Sequence, residues 1–390
     1  MKRILRILIG LSLVLAGCSA PRKEREWKDA SLKAYITSDL HLSVDPAAVA
    51  SIVPAMPYGK EIAEAIADQV IDAHPDVFIM TGDNTNSGSI TDMEVLKEIL
   101  QRIKDAGIKV IMTTGNHDFN QCTPQQYWDC FEELFDEIEK DPASLSYITE
   151  IGNVRIFAMD DNYADGGATG TFSADTMRWL KEHLKRAADE GKTILFASHH
   201  NVIAGPSGDR STFYQITNAD LKQILKDSGV TLCLSGHQHG QGIQEENGLY
   251  EIISSMPLSG SHQIGSLTIR NRTADYITVP VDFETYGSSD LKTRIAEADE
   301  KEQEVTADIF SNLLKQEGLS GSDYDGVMNL IETFFSSYSA GTLADDALKI
   351  KADPYYQKMT DALRTHNYGP WMENVLENPP MAGNRLHLEW

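Results

Sequence analysis

The segment TTGNHD (residues 113–118) ends a short apolar run in a cluster of polar side chains, and four other segments do the same. They are ITSDLH (36–41), FIMTGDN (78–84), LFASHH (195–200) and CLSGHQH (233–239). An aliphatic or β-branched run that stops at Gly, Ser, Asp or His is typical of a buried strand whose last residues enter a loop. In open α/β sheets, ligands bind beyond the carboxyl ends of the strands. We therefore expect the five segments to converge on one crevice.

The polar groups at these strand ends are Asp and Asn oxygens and His nitrogens, with no thiolate among them. Such donors suit divalent ions such as Zn, Mn, Fe or Ni, and they differ from the thiolate-rich set of a structural zinc site. The sequence therefore predicts a metal site built from loops that follow strands.

The order of these motifs resembles that of the calcineurin-like metallophosphoesterases, which carry D-x-H, G-D, G-N-H-[DE], H and G-H-x-H in turn. Here the motifs stand as Asp39-Leu40-His41, Gly82-Asp83, Gly115-Asn116-His117-Asp118, His199 and Gly236-His237-Gln238-His239. A single D-x-H would recur by chance, but five motifs in order are specific. The resemblance covers residues 33 to 282, approximately.

The resemblance implies a centre of two divalent metal ions (Mn, Fe, Zn or Ni), bridged by a carboxylate that has an oxygen for each. The first ion would be held by Asp39, His41, Asp83 and His239, and the second by Asp83, Asn116, His199 and His237. His199 is preferred over His200 because it comes first after the strand. The implied reaction is hydrolysis of a phosphate ester by metal-activated hydroxide.

The resemblance also implies two catalytic residues. His117 would stabilise charge on the phosphoryl oxygens or protonate the leaving group. Asp118 would fix the tautomer of that imidazole, as carboxylates commonly do for functional histidines.

Substrate contacts are predicted for Asn84, His200, Asp161 and Asn162, which adjoin these motifs. Alternatives stay open, because His200 could instead support His199 and the Asp161-Asn162 pair could form a turn or a cap. Asn84 and Asn201 depart from the family, which often has an apolar residue and a proline there. Neither change removes a ligand.

The loop at residues 201–213 contains Arg210, which could contact a phosphate, although a solvated arginine is the more economical interpretation. His262 lies between two strands and could reach the mouth of the site, although a structural role is the more economical interpretation. We expect the other histidines to be structural or exposed.

The first residues resemble a bacterial lipoprotein signal. Lys2, Arg3 and Arg6 precede an apolar stretch, residues 7–16, that is too short to span a bilayer, and Leu15-Ala16-Gly17-Cys18 resembles a lipobox. We expect acylation at Cys18, a tether over residues 19–32 and an extracytoplasmic, membrane-anchored protein. An ordinary secretory signal or an uncleaved anchor is the alternative.

Composition describes an acidic globular protein of 390 residues, with 41% hydrophobic residues and a formal net charge of −24. That charge argues against nucleic-acid binding through a basic face, but an anionic substrate remains compatible because bound metals would dominate the local field. Length and composition suit one large domain and a small one.

Strand and helix patterns alternate in the first half, and strands alone follow Gly242. Together with the resemblance, this predicts an α/β fold: a four-layer sandwich of two mixed β-sheets flanked by helices, over residues 33–285. A small helical C-terminal domain is expected over residues 286–390, with an irregular last segment.

Local signals predict two helix starts: a capping box at Thr91-Asp92-Met93-Glu94 and another at Thr123–Gln126. We expect Cys122 and Cys130 to be unpaired, because the second would lie two turns into the helix and too far from the first for a disulfide.

The sequence thus predicts an exported metallophosphoesterase whose substrate is a small molecule with a phosphate ester. Phosphodiesters and phosphomonoesters suit the same metal pair, and the sequence does not specify the oligomeric state. One alternative is a non-catalytic surface lipoprotein that uses the fold to bind a ligand or partner. Another is an enzyme of the same metal chemistry that acts on a different bond, for example a pyrophosphate or a sulfate ester.

Overall fold

A computed structural model describes residues 29–44, 53–162, 169–203, 214–366, 368–379 and 381–390. The predicted signal with Cys18, most of the tether and Arg210 lie outside these residues. No helix within the described ranges is long and apolar enough to cross a membrane.

The strands of the described chain are β1 (Ser31–Thr37), β2 (Val77–Thr81), β3 (Lys109–Thr113), β4 (Glu139–Lys140), β5 (Tyr147–Ile151), β6 (Val154–Ala158), β7 (Thr193–Ala197), β8 (Leu232–Ser235), β9 (Gly242–Glu246), β10 (Leu249–Ile253), β11 (Gln263–Arg270), β12 (Thr273–Pro280) and β13 (Arg385–Glu389). The α-helices are α1 (Gly59–Ala73), α2 (Ile90–Asp105), α3 (Pro124–Phe131), α4 (Ala174–Asp189), α5 (Leu221–Asp227), α6 (Leu291–Gln316), α7 (Gly321–Ala340), α8 (Leu343–Ala352), α9 (Tyr356–Leu363) and α10 (Tyr368–Glu377). Short 3-10 turns occupy Met56–Tyr58, His117–Phe119 and Glu132–Leu134.

The strands form two mixed sheets. The first has the order β13-β12-β11-β1-β2-β3, in which β1, β2 and β3 are parallel and the other strands are antiparallel. The second has the order β4-β5-β6-β7-β8-β10-β9, with β6, β7, β8 and β10 parallel. Every residue of β2, β6 and β7 is buried, as expected for parallel strands that are covered on both faces.

The two sheets pack face to face around one apolar core, which includes Ile36 and Ile79 of the first sheet and Ile156 and Leu234 of the second. Helices α1 and α2 cover the outer face of the first sheet. Helices α4 and α5 cover the second sheet, where Leu180 and Leu225 belong to the same apolar cluster as Phe196. The predicted α/β sandwich of two mixed sheets flanked by helices is confirmed.

The start of α2 differs from the prediction. Ser89, not Thr91, is the N-cap, because Ser89 has an extended backbone (φ −65°, ψ 142°) and its hydroxyl accepts the N–H of Asp92. The predicted capping box at Thr123 and Gln126 is present. Cys122 and Cys130 are unpaired, as expected, and so is Cys233.

The C-terminal region is helical, as predicted, and α6 to α10 enclose an apolar cluster of their own. The last segment is not irregular, however. Leu386 and Leu388 alternate with exposed residues in β13, which pairs antiparallel with β12 and extends the first sheet. The chain therefore leaves the sandwich after β12, folds into helices and returns to the sandwich.

Candidate metal centre

The strand ends of both sheets meet at one edge of the sandwich. β1, β2 and β3 lead to Asp39, Asp83 and Asn116, while β7 and β8 of the other sheet lead to His199 and His237. The convergence expected from the sequence is present. Two groups of potential metal ligands form there: Asp39, His41, Asp83 and His239, and Asp83, His199 and His237.

In the first group, the Nε2 atoms of His41 and His239 are 3.1 Å apart. Nε2 of His239 is 3.4 Å from Oδ1 of Asp39, and Nε2 of His41 is 3.7 Å from Oδ2 of Asp83. The side chain of His239 is 45% exposed, whereas that of His41 is 2% exposed. This group is therefore open to solvent at His239.

The second group is closed. Nε2 of His199 lies 3.1 Å from Nδ1 of His237 and 3.4 Å from Oδ2 of Asp83. His199 is fully buried. The amide oxygen Oδ1 of Asn116, which is predicted to be a ligand of this group, is buried and has no hydrogen-bond partner among the described residues.

These spacings fit metal ions. Ligand atoms about 2.0–2.1 Å from one cation, in tetrahedral or octahedral geometry, lie about 2.9–3.4 Å from one another. Each group also places two imidazole nitrogens 3.1 Å apart, beside a carboxylate oxygen. Two facing lone pairs require a proton or a cation between them, and a buried amide oxygen requires a partner. The residues thus fit the two divalent ions that the resemblance implies.

Backbone contacts hold these ligands in orientation. Nδ1 of His199 lies 2.9 Å from the carbonyl oxygen of Thr81, which selects the tautomer with a free Nε2. The N–H of His237 donates to Oδ2 of Asp39 at 2.9 Å, and the N–H of His117 donates to Oδ1 of Asp83 at 2.8 Å. Oδ2 of Asp83 is left to face both histidine groups.

The ligand loops carry an unusual backbone. Positive φ angles occur at Asp39 (52°), His41 (43°), Asp83 (47°), His237 (67°) and His239 (55°). Non-glycine residues rarely adopt this left-handed region, and such strain clusters at functional sites, where the surrounding structure enforces it. The fold therefore holds these five residues against their local preference.

Two motif glycines are required by close approach. A Cβ on Gly115 would collide with the backbone N and the carboxylate of Asp83, and a Cβ on Gly236 would overlap Ser38 and the carboxylate of Asp39. Each glycine therefore allows one ligand loop to pass close to another.

Burial and charge favour the ligand forms of several side chains. Burial lowers the pKa of His41 to about 4 and that of His237 to about 2, so both rings are neutral at neutral pH. Burial alone would raise the pKa of Asp83, but the charge and hydrogen bond of His199 outweigh it and hold the pKa of Asp83 well below its usual range. The shared carboxylate is therefore ionised. Burial would lower the pKa of His199, but Asp83 outweighs that in turn and raises it to about 10, and a cation bound at Nε2 would replace the proton there.

The contacts of His117 correct one prediction. Its Nδ1 lies 3.0 Å from the carbonyl oxygen of Asn86, so this backbone group, not Asp118, orients the imidazole. The carboxylate of Asp118 is fully buried and accepts N–H groups of Thr85 and Gly115, both at 2.9 Å. Asp118 ties the second and third ligand loops together, and a catalytic contact is not supported.

The four residues predicted to bind substrate are buried in the protein. Asn84, His200, Asp161 and Asn162 are all at most 2% exposed. Asp161 accepts from the backbone N of His200 at 2.9 Å and lies 3.0 Å from its Nδ1, while the amide of Asn84 donates to Oδ2 of Asp118 at 2.9 Å. Direct substrate contact by these four is not supported by this placement. His200 is turned toward Asp161, and His199 faces Asp83, as preferred from the sequence.

Asn201, where the family often has proline, has a role that proline could not fill. Its N–H donates to the carbonyl of Tyr214, and its side chain donates to Ser235 Oγ at 2.8 Å and to the carbonyl of Gly236 at 3.1 Å. It thereby links the two loops that carry the imidazoles of the second group. His262 does not lie at the mouth of the site: it contacts Pro257 and Asp299.

Sequence reasoning missed several supports of the site. The backbone carbonyls of Thr81 and Asn86 leave no sequence signal. Glu251 does, since it is an acidic residue within the apolar strand β10. Its carboxylate is fully buried and accepts the N–H groups of Val202 at 2.8 Å and Ile203 at 2.7 Å, which anchors the chain after His199.

A family model described as calcineurin-like phosphoesterase matches residues 32–241. A probable glycerophosphodiester phosphodiesterase, GpdQ, of Arcobacter nitrofigilis is 27% identical over 209 residues, which are 53% of this chain and 71% of that protein. A probable cyclic nucleotide phosphodiesterase of Synechococcus sp. strain WH7803 is 24% identical over 196 residues, 48% of this chain and 66% of that protein. The chain thus spans just under two thirds of this second relative.

Among solved structures, a dimetal phosphatase from Danio rerio aligns with a TM-score of 0.49 at 12% identity. The alignment covers 64% of this chain and 99% of that protein.

Proposed function

This chain belongs to the calcineurin-like phosphoesterase family, and we propose that it hydrolyses phosphodiesters at two divalent metal ions held between the ends of its two sheets. One observation carries the proposal. The two groups of metal-binding side chains share Asp83, and within each group the ligand atoms lie within 4.8 Å of one another. A carboxylate has two oxygens and can bind two ions that lie a few ångströms apart.

The proposed ligands are those predicted from the sequence: Asp39, His41, Asp83 and His239 for one ion, and Asp83, Asn116, His199 and His237 for the other. When bound, the ions would act as Lewis acids that polarise the phosphoryl group and make water a stronger acid. Which of Mn, Fe, Zn and Ni the protein binds would depend on the metals available to it as well as on the type of ligand.

His117 is the proposed proton donor to the leaving group. Its ring centroid lies 4.7 Å from that of His41, a ligand of the first group. Because its Nδ1 is committed to the carbonyl of Asn86, proton transfer would use Nε2. The backbone contact also keeps the ring in place without a second charged side chain.

The preference for diesters rests on the two curated relatives, each of which is named a probable phosphodiesterase. A monoester substrate suits the same metal pair. Hydrolysis of bis(p-nitrophenyl) phosphate and p-nitrophenyl phosphate separates the two classes. Protein lacking residues 1–18 would be stripped of metal and then supplied with Mn, Zn, Ni or Fe.

We expect turnover to return with metal and to favour the diester. A higher rate with the monoester would overturn the diester assignment while retaining the hydrolase. A fully metal-loaded protein that turned over neither ester nor a panel of natural diesters would favour the non-catalytic binding alternative. The complete ligand set and His117 count against that alternative.

Export and lipid anchoring form a separate part of the proposal, supported by the basic and apolar start of the chain and by Leu15-Ala16-Gly17-Cys18. Expression of the full chain in a bacterium with labelled fatty acid should label the protein and place it in the membrane fraction. Cys18→Ser should abolish the label. Labelling that survived this substitution would contradict acylation at Cys18.

A further inference from the structure

The C-terminal end of α7 lies against the loop that supplies His237 and His239. The ring of Tyr338 occupies the place where a side chain on Gly240 would lie, so any Cβ there would overlap it. The N–H of Gln241 donates to the carbonyl of Tyr338 at 3.3 Å. The two residues that follow the ligand His239 are thus both in contact with the helical region.

Gln241 extends this contact to other parts of the fold. Its side-chain amide donates to the carbonyl of Gly383 at 2.8 Å and to the hydroxyl of Tyr276 at 3.1 Å, and its side-chain oxygen accepts the N–H of Ser255 at 3.2 Å. Gln241 is only 4% exposed. It therefore joins the ligand loop, the first sheet and the segment that returns to β13.

Ser339, next along the helix, holds the neighbouring loop. Its hydroxyl accepts the N–H of Ser261 at 3.2 Å, and its carbonyl accepts from the side chain of Gln263 at 3.0 Å. The end of α7 thus contacts two loops at the metal-binding edge of the sandwich.

Tyr338 is itself fixed by the helical cluster. Its ring is parallel to that of Phe334 at a centroid distance of 6.1 Å and meets Trp371 edge-on at 5.4 Å. Aromatic side chains have few rotatable bonds, and in such packing they form rigid contacts. The helical region therefore presents a fixed surface to Gly240.

We infer that Tyr338 is a positioning residue of the metal centre, through which the C-terminal helical region sets the place of His239. This inference rests on the proposed metal centre. His239 needs such support because its side chain is 45% exposed, whereas His41, His199 and His237 are buried. Residues that orient ligands typically change metal affinity by about 10–100-fold when removed.

The test compares Tyr338→Ala with Tyr338→Phe and with Tyr355→Ala in the full chain. Tyr355 is a matched control because its ring packs over Gly326, which lies in α7 like Tyr338, and because both tyrosines pack against the same apolar cluster. Gly326 is twelve residues from Tyr338, which is about 18 Å along a helix. Both alanine variants remove a packed ring, but only the ring of Tyr338 contacts the ligand loop, at Gly240.

Two measurements are made on each protein: Mn²⁺ affinity by titration, and amide hydrogen exchange of residues 236–241 without metal. We expect Tyr338→Ala to weaken the binding of the ion assigned to the group with His239 by about tenfold or more and to leave the affinity for the other ion unchanged. The same variant should speed amide exchange in this loop. Tyr338→Phe, which keeps the ring, and Tyr355→Ala should match the unaltered protein in both. Gly240→Ala, which disturbs the same contact from the loop side, should reproduce Tyr338→Ala and covers the case in which that variant does not fold.

Unchanged exchange and affinity in both Tyr338→Ala and Gly240→Ala would overturn the inference. So would an equal loss in Tyr355→Ala, because the effect would then be general destabilisation. If the unaltered protein bound no second ion, the proposed function would fail, and the exchange contrast in metal-free protein would still decide whether Tyr338 positions the loop.

Discussion

The two groups of ligands that share Asp83 differ in their surroundings. The group with His199 and His237 is sealed in the sandwich, and Thr81 orients His199 through a backbone hydrogen bond. The group with His41 and His239 opens to solvent, and its exposed member is supported from the C-terminal helical region. The sandwich alone builds the group with His199 and His237, whereas the group with His41 and His239 also depends on a part of the chain outside the family match.

The largest expected effect comes from the residue common to both groups. Asp83→Ala should abolish the binding of both ions and lower turnover by roughly 10³-fold or more, since Asp83 belongs to both groups of potential ligands. Metal content and hydrolysis of bis(p-nitrophenyl) phosphate check this. Asp141→Ala is the control, because it removes a buried carboxylate that belongs to neither group of ligands, and it should keep both ions. Two ions bound to Asp83→Ala would show that the groups do not share a ligand.

Next in size is the loss of one group at a time. His199→Ala should remove one ion and also destabilise the fold by about 2–4 kcal/mol, because it empties a fully buried site and removes one of two donors to the carbonyl of Thr81, the other being the hydroxyl of Ser38. His239→Ala should remove the other ion with little change in stability, since its side chain is half exposed. Metal stoichiometry and denaturant unfolding of metal-free protein measure both. Equal destabilisation by the two variants would contradict the contrast between a sealed and an open group.

His117→Ala separates catalysis from metal binding. We expect kcat to fall by about 10²-fold while both ions stay bound, because general acid catalysis commonly contributes that much and His117 lies in neither ligand group. The defect should be smaller for substrates with good leaving groups, which need no proton. Unchanged turnover across several substrates would remove His117 from the mechanism.

The smallest predicted effect concerns the contact between the helical region and the sandwich. Nδ1 of His262 faces the carbonyl of Pro257 at 2.9 Å and Nε2 faces the carboxylate of Asp299 at 2.8 Å, so only the protonated ring donates to both. Burial lowers the pKa of His262, but Asp299 outweighs it, with Glu302 also nearby, and the net shift is upward. The stabilisation that this contact provides is therefore fully present below the ordinary histidine pKa of about 6.5. It is lost as the pH rises through the raised pKa of His262.

His262→Gln should consequently lower the free energy of unfolding by about 1–2 kcal/mol at pH 6 and by less at pH 9. Urea unfolding at the two pH values measures it, with Tyr355→Ala as a pH-independent control in the helical region. A difference between His262→Gln and the unaltered protein that grew with pH would contradict the protonated contact.

The features predicted from the sequence are those that local pattern determines. Buried strands have continuous apolar runs, and the polar residues that end them, such as Asp83 and His199, must lie at the edge of a sheet. The sequence pattern puts the start of α2 two residues too late, because Ser89 and Thr91 carry the same capping signal and only backbone geometry distinguishes them.

Long-range partners could not be predicted. Asp118 follows His117 in sequence, but its carboxylate turns toward Asn84, Thr85 and Gly115, and the imidazole finds Asn86 instead. A backbone carbonyl has no sequence signature. For the same reason, the contact between Gly240 and Tyr338 depends on about one hundred intervening residues that fold between them.

The central claim is that two ions on a shared carboxylate are required for hydrolysis, and a titration tests it most directly. Metal-free protein would receive Mn²⁺ in steps while bound metal and hydrolysis of bis(p-nitrophenyl) phosphate are recorded together. We predict two ions per chain, with turnover that rises as the second site fills and stays low in Asp83→Ala. Full turnover with one ion bound, or without any, would contradict the account.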